Sequence, residues 1–233
     1  LIFLLPGLGL LAWAEPEHKE STTWGWPERL GVAAGLSLGL CPLYLLWANA
    51  VGFSAALGWC ACVPAVIGLG LLLWRYPLWK VRWPQVYAKL KDVAKAEAFW
   101  PDFTLLIGVG LLVVTRLFVI RALEAPLWGD SVQHAVIAQL LLDHGGLFES
   151  WQPYAPYHSL TIHFGFHAMV ALFAWLANLS GATATLVVGQ LVNGLAVLTL
   201  YPLAVRIAQG KRWAGVGAVI AIGLFSPMPA FYV

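Results

Sequence analysis

Charge is scarce in this sequence. Of its 233 residues only 10% are Asp, Glu, Lys or Arg, with 13 basic against 11 acidic, and the net charge is +2. So small an excess, with the basic residues set by topology rather than spread along a stripe, excludes a nucleic-acid-binding surface. Cysteine is rarer still. Cys41, Cys60 and Cys62 are odd in number and lie in apolar stretches, where a thiol behaves as a small hydrophobe. They argue for neither a disulfide framework nor a cysteine metal site. Internal repeats and low-complexity tracts are also lacking, so there is no sign of the duplicated halves common in transport folds.

What is abundant is hydrocarbon. Hydrophobic residues make up 61% of the chain, the mean hydropathy is +0.79, and apolar runs reach about 20 residues. Runs of that length exceed what a soluble core of this size hides, so an integral membrane protein is expected. Lipid offers the backbone no hydrogen-bond partner, which makes the runs helices. The expected fold class is therefore all-α, a polytopic bundle of transmembrane helices. The opening LIFLLPGLGLLAWA lacks an initiator Met and a basic flank, and the closing PMPAFYV falls partway through an apolar run. The chain is expected to be a piece of a longer protein, truncated at both ends. Ala12-Trp13-Ala14 resembles a cleavage site, but a signal peptide would carry a basic region before its apolar stretch.

The apolar runs give a partial span at the start. Full spans follow near residues 30 to 51, 53 to 75, 102 to 122, 160 to 178 and 184 to 206, and a last one begins at 213. Six of the 13 basic residues (Arg75, Lys80, Arg82, Lys89, Lys91, Lys95) lie between the third and fourth segments, so the positive-inside rule places that connection in the cytoplasm. Its second half, QVYAKLKDVAKAEAFW, sets Val86, Leu90 and Val93 at helical spacing opposite lysines, the pattern of an interfacial helix on membrane lipid. Two regions result: leading spans and interfacial helix over 1–101, and a second transmembrane core over 102–233. One conflict accompanies this reading. If both 160–178 and 184–206 cross, Arg206, Lys211 and Arg212 emerge outside, against the rule; because orientation follows summed bias, two crossings are expected.

The connection 122–162, expected outside, differs from the others. It holds four acids (Glu124, Asp130, Asp143, Glu149) with no Lys or Arg, and five of the six histidines fall between positions 134 and 167. Within it DSVQHAVIAQLLLDH, then Gly145-Gly146, reads as a short amphipathic helix over 130–144 with a glycine stop, lying along the membrane surface. Asp130 and His134 share one face. Asp130 with Gln133 three residues on makes a capping-box pattern, and the same carboxylate can serve as general base or metal ligand, with His134 beside it. His163 and His167 are also four apart, on a stripe of small and polar residues that favours packing or a cavity over lipid. Arg116 lies below the outer end of its span. It either snorkels to the surface or receives a lipid phosphate. Trp151-Gln-Pro-Tyr154-Ala-Pro-Tyr157 leads rigidly into the next segment; its aromatic rings suit interfacial anchoring or sugar faces. Asn178-Leu-Ser180 matches a glycosylation sequon that two crossings would leave in the cytoplasm.

The order of these parts resembles the GT-C superfamily of multispanning glycosyltransferases, particularly bacterial members with extra leading spans. The resemblance rests on Gly129-Asp130-Ser131 opening the loop, Gly145-Gly146, the Trp151-x-Pro-Tyr154-x-Pro stretch and Gly165-Phe166-His167. Leu5-Pro6-Gly7 and Trp26-Pro-Glu-Arg-Leu-Gly, followed by GLSLGL, are similar to that leading region. It implies a polyprenyl-phosphate-linked sugar as donor, in the bacterial cytoplasmic membrane with the active face outward. It also implies an Asp at the start of the loop that activates the acceptor or holds a divalent metal, Mg or Mn; Asp130 matches that position, with Ser131 where many relatives have a second acid. Arg116, Trp151, Tyr154, His163 and His167 become candidates for substrate contact. The alternatives are a transporter with a polar path lined by Arg116, His163 and His167, and a non-catalytic membrane scaffold.

Overall fold

The computed structural model describes residues 1–14, 25–54, 58–76, 99–158 and 163–225. Every named element among them is helical: α1 (Leu5–Ala14), α2 (Trp26–Ala50), a 3-10 turn (Gly58–Cys62), α3 (Val63–Arg75), α4 (Phe99–Ile120), α5 (Gly129–His144), α6 (Gly165–Ala177), α7 (Gly181–Leu198), α8 (Leu200–Ile207) and α9 (Arg212–Ile220), which runs on into a π-helical turn (Ala221–Phe225). Among the described residues three stretches are long and apolar enough to cross a membrane: Trp26–Ala50, Phe99–Ile120 and Gly181–Ile207. Their outward faces carry large apolar side chains such as Trp47, Ile107, Val119 and Leu203, as lipid-facing helices do. The chain is an integral membrane protein. The expected interfacial helix over 85–100 falls almost wholly outside the described residues.

Apolar faces gain little by meeting one another inside lipid, so helix contact there depends on close backbone approach through small residues. The leading helices show this. The Gly7 backbone lies directly on that of Ala33, Gly9 lies on Gly68, and the Gly7 amide donates to Ser37 Oγ at 2.9 Å. A side chain at Gly7 or Gly9 would occupy its neighbour's backbone. Within the apolar stretch expected to cross at 53–75, the described helical elements are the 3-10 turn and α3; α3 has 13 residues and starts with Pro64 at its first turn, where a missing N–H costs nothing. At 1.5 Å per residue it covers roughly 20 Å, less than a bilayer core.

Two sets of polar contacts mark the two ends of the bundle. At one end Arg212 Nη1 donates to both Asp102 oxygens, at 2.6 and 2.8 Å, and the Glu28 and Arg212 side chains both reach over Gly25. The N-termini of α2, α4 and α9 therefore share this level. At the other end Ser54 Oγ donates to the Gly145 carbonyl at 3.0 Å, and the Gly181 amide donates to Gln139 Oε1 of α5 at 2.9 Å. The α7–α8 pair runs from the second level back to the first, which about 39 Å of helix allows.

This corrects the expected topology. The described helix of segment 160–178 is too short to cross alone: α6 has 13 residues, its His167 meets α5 at one end, and its C-terminus turns through Asn178 (φ 54) straight to Gly181, again against α5. Arg206, Lys211 and Arg212 consequently lie at the level of Asp102, the side from which the basic connection 76–98 departs, and the conflict with the positive-inside rule disappears. The sequon Asn178-Leu-Ser180 moves with it to the opposite side, that of the 122–162 connection. There Ser180 is the N-cap of α7, its Oγ accepting from the Thr183 amide at 3.2 Å.

Candidate functional site at the α5–α6 end

The polar residues of the acidic connection are carried by α5, by the aromatic turn after it and by the start of α6. Burial along α5 changes with position rather than with face: Ala135, Ile137, Ala138, Leu140 and Leu141 are buried against α6 and α7, whereas Asp130, Gln133 and His134, in the first turns, are exposed. Its stop is the expected one. Gly145 adopts φ 69, and the Gly146 amide donates to the Leu141 carbonyl at 3.1 Å, closing the last turn.

Its start differs from the capping-box reading. The N-cap is Trp128, with φ −99 and ψ 149 and no side-chain cap, and Asp130 is the second residue inside the helix. The Asp130 carboxylate is exposed in the first turn, where the partial positive end of the helix favours it without a specific backbone bond. The reason is local: Trp128 is already extended and takes the cap position, so the chain turns helical two residues earlier than a cap at Asp130 requires.

His134 turns away from Asp130's end of the face and toward α6. Its Nδ1 lies 2.8 Å from Nε2 of His167, with the rings tilted by 44° and centroids 4.9 Å apart. His167 is buried and its Nδ1 lies 3.2 Å from the His163 carbonyl oxygen, whereas the His163 side chain is exposed. Phe166 closes the other side, edge-on to His134 at 5.7 Å. Sequence reasoning paired residues within one helix, Asp130 with His134 and His163 with His167. The pair that forms crosses between helices 33 residues apart, and the only hint was that each His sits at the loop-side end of its segment.

The aromatic turn folds on itself. The Trp151 amide donates to the Tyr157 carbonyl at 3.0 Å, Ser150 and His158 form an isolated antiparallel bridge, and the Gln152–Pro153 bond is cis. Trp151 lies edge-on between Phe148 and Tyr157, at 5.8 and 6.0 Å, and so serves as the core of the turn rather than an open platform. Tyr154 and Tyr157 are the exposed rings.

Arg116 is one turn below the end of α4 and does not snorkel. It is 7% exposed, its Nη2 donates to the Gly223 carbonyl of the π turn at a long 3.4 Å, and Nη1 has no partner among the described residues. A π turn shifts the backbone register and releases a carbonyl from the helical ladder. Three residues earlier on α4, Val113 lines an apolar cavity of about 700 Å³ bounded also by Leu4, Leu69, Phe173 and Leu195.

Among the described residues no group of three or more His, Cys, Asp or Glu side chains converges on one point. A hard cation such as Mg or Mn needs several oxygen ligands, and Asp130 by itself is not such a set. Comparison with protein-family models, curated proteins and solved structures returns no match.

Proposed function

We propose that this chain is part of a GT-C-like membrane glycosyltransferase that takes a sugar from a lipid-phosphate donor and works at the face carrying α5 and α6. The observation that carries the reading is Arg116. A guanidinium buried beside one weak carbonyl contact, with Nη1 unpartnered, is costly unless an anion completes it, and it lies one turn beyond a residue that lines an apolar cavity. Charge next to hydrocarbon suits an amphiphile with a phosphate at its head. The order of parts supports the same reading: a span, a connection opening on Asp130 with a surface helix, then a returning span, now α7–α8. Asp130 is the exposed carboxylate that would take the acceptor's proton, His134 its neighbour, and Tyr154 an exposed ring for a sugar face.

The logic is that a lipid phosphate is a good leaving group that does not travel through water. An enzyme using it must be embedded, with its reacting atoms at the interface. The transporter alternative draws less support, because Arg116 turns into the α4–α9 contact while His163 and His167 sit at the α5–α6 end, and the apolar cavity is lined by none of the three. Because this piece is not expected to be active alone, the deciding experiment is transfer of labelled sugar from polyprenyl phosphate by membranes containing the full-length protein, compared with membranes containing its Asp130→Asn variant. Transfer that depends on Asp130 supports the proposal. Uptake of a solute by sealed vesicles, without transfer, would favour the transporter, and the absence of both the scaffold.

A further inference from the structure

Nitrogen meets nitrogen at His134 and His167, and the surroundings fix which of them carries a proton. The His163 carbonyl 3.2 Å from His167 Nδ1 is only an acceptor, so Nδ1 holds a hydrogen and donates it. Nε2 of His167 is left with its lone pair directed at His134 Nδ1, 2.8 Å away. Anchoring one ring nitrogen on a backbone carbonyl is how metal-binding imidazoles are commonly oriented, since it sets the tautomer and raises the basicity of the other nitrogen. His167 is held rigidly in the core while His134 is exposed, so an ion arriving from water reaches the pair.

We propose that His134 Nδ1 and His167 Nε2 bind one divalent transition-metal ion, of the copper, nickel or zinc class, with water in its remaining positions. Nitrogens about 2.0–2.1 Å from an ion stand roughly 2.9 Å apart at a right angle and about 3.4 Å at a tetrahedral one. The observed 2.8 Å is close to the right-angle value, so rotation of the exposed His134 ring, which turns Nδ1 off the hydrogen-bond line toward the ion, suffices for copper or nickel, and zinc needs a further opening of the pair. Two neutral imidazoles also select this class over Mg or Mn, whose preferred ligands are oxygens. Binding replaces a proton. The hydrogen that His134 Nδ1 gives to His167 leaves for water, His134 Nε2 takes one up from water, and both rings stay neutral while two metal–nitrogen bonds form. Asp130, one turn earlier on the exposed side of α5, is the nearest acid in sequence to accept a hydrogen bond from a water on the ion. The site shares His134 and Asp130 with the proposed reaction centre, but ion binding needs no glycosyl transfer and is read without it.

The test uses the purified protein in detergent micelles, titrated with Zn²⁺ by calorimetry and with substoichiometric Cu²⁺ followed by electron paramagnetic resonance. His134→Gln and His167→Gln are compared with His144→Gln, a control on the same helix. One ion per chain, nitrogen couplings from two imidazoles and an affinity loss on the order of tenfold or more in each variant but not in the control are expected. His167 is buried, so its variant is judged only if its thermal midpoint matches wild type; His134 is exposed and its variant decides the matter. A copper spectrum with fewer than two imidazoles, or wild-type affinity in His134→Gln, overturns the proposal.

Discussion

At Asp130 the side chain is in the first turn of α5 but is not its cap, and this sharpens what substitution reports. Losing the carboxylate removes only its interaction with the helix end, about 0.3–1 kcal/mol, so Asp130→Asn and Asp130→Ala should both unfold close to the wild-type temperature. If Asp130 is the base, both should lose sugar transfer on the order of 100-fold or more. An Ala variant that transfers sugar at the wild-type rate would remove Asp130 from the chemistry. Arg116 calls for the opposite pairing of readouts. Because Nη1 is buried without a partner, Arg116→Gln should leave thermal stability unchanged or slightly raised, while binding of polyprenyl phosphate weakens on the order of tenfold or more. Arg116→Lys should keep part of the binding, since it retains charge but not the paired donors. Equal lipid affinity in all three proteins would leave the guanidinium without a ligand role.

The helix at 130–144 was legible from its run of helix-forming residues, Ala135 to Leu142 above all, and from the glycine pair that ends it, but not as two-faced: its exposed residues are in the first turns and its buried ones further along, and the structure begins it one residue earlier. The helix at 165–177 was legible as a helix but not as a segment that stays on one side. Its composition is as apolar as a span, and what shortens it is three-dimensional: a turn at Asn178 and a hydrogen bond from the Gly181 amide to Gln139 Oε1, neither of which has a periodic signature. The basic residues after α8 were the available warning, since two crossings left them on the wrong side. The topology is open to direct measurement. Single cysteines at Ser150, Ser180 and Gln209, in a protein whose native cysteines are replaced, should divide under an impermeant thiol reagent. Ser150 and Ser180 should react from the same side of sealed membranes, and Gln209 only after the membrane is opened or inverted. Reaction of Ser180 together with Gln209 would restore the two-crossing arrangement.

Over the whole molecule, the fold class and membrane character followed from hydropathy, whereas the relative placement of the helices followed from a few polar residues whose partners are far away in sequence. Asp102 and Arg212 are the clearest case: separated by 110 residues, they read individually as flanking charges of two spans. Together they set the starts of α4 and α9 at one level, and the register continues upward through Gly108 against Ile220 and Arg116 against Gly223. The pair that fixes one end of the bundle thus also positions the π turn that receives Arg116 at the other. Its side chains are 29% and 15% exposed, so its worth falls between a surface and a buried ion pair. Asp102→Asn should lower stability in micelles by roughly 1–3 kcal/mol, and Arg212→Gln by a similar amount, with the double variant less destabilised than the sum. The reversed pair, Asp102→Arg with Arg212→Asp, should recover part of the loss because each charge again finds its opposite. If the pair sets the register of α4 on α9, Asp102→Asn should weaken phosphate-lipid binding as well, by a smaller factor than Arg116→Gln. Additive losses in the two single variants, with lipid binding unchanged, would show that the ion pair neither couples the helices nor positions Arg116.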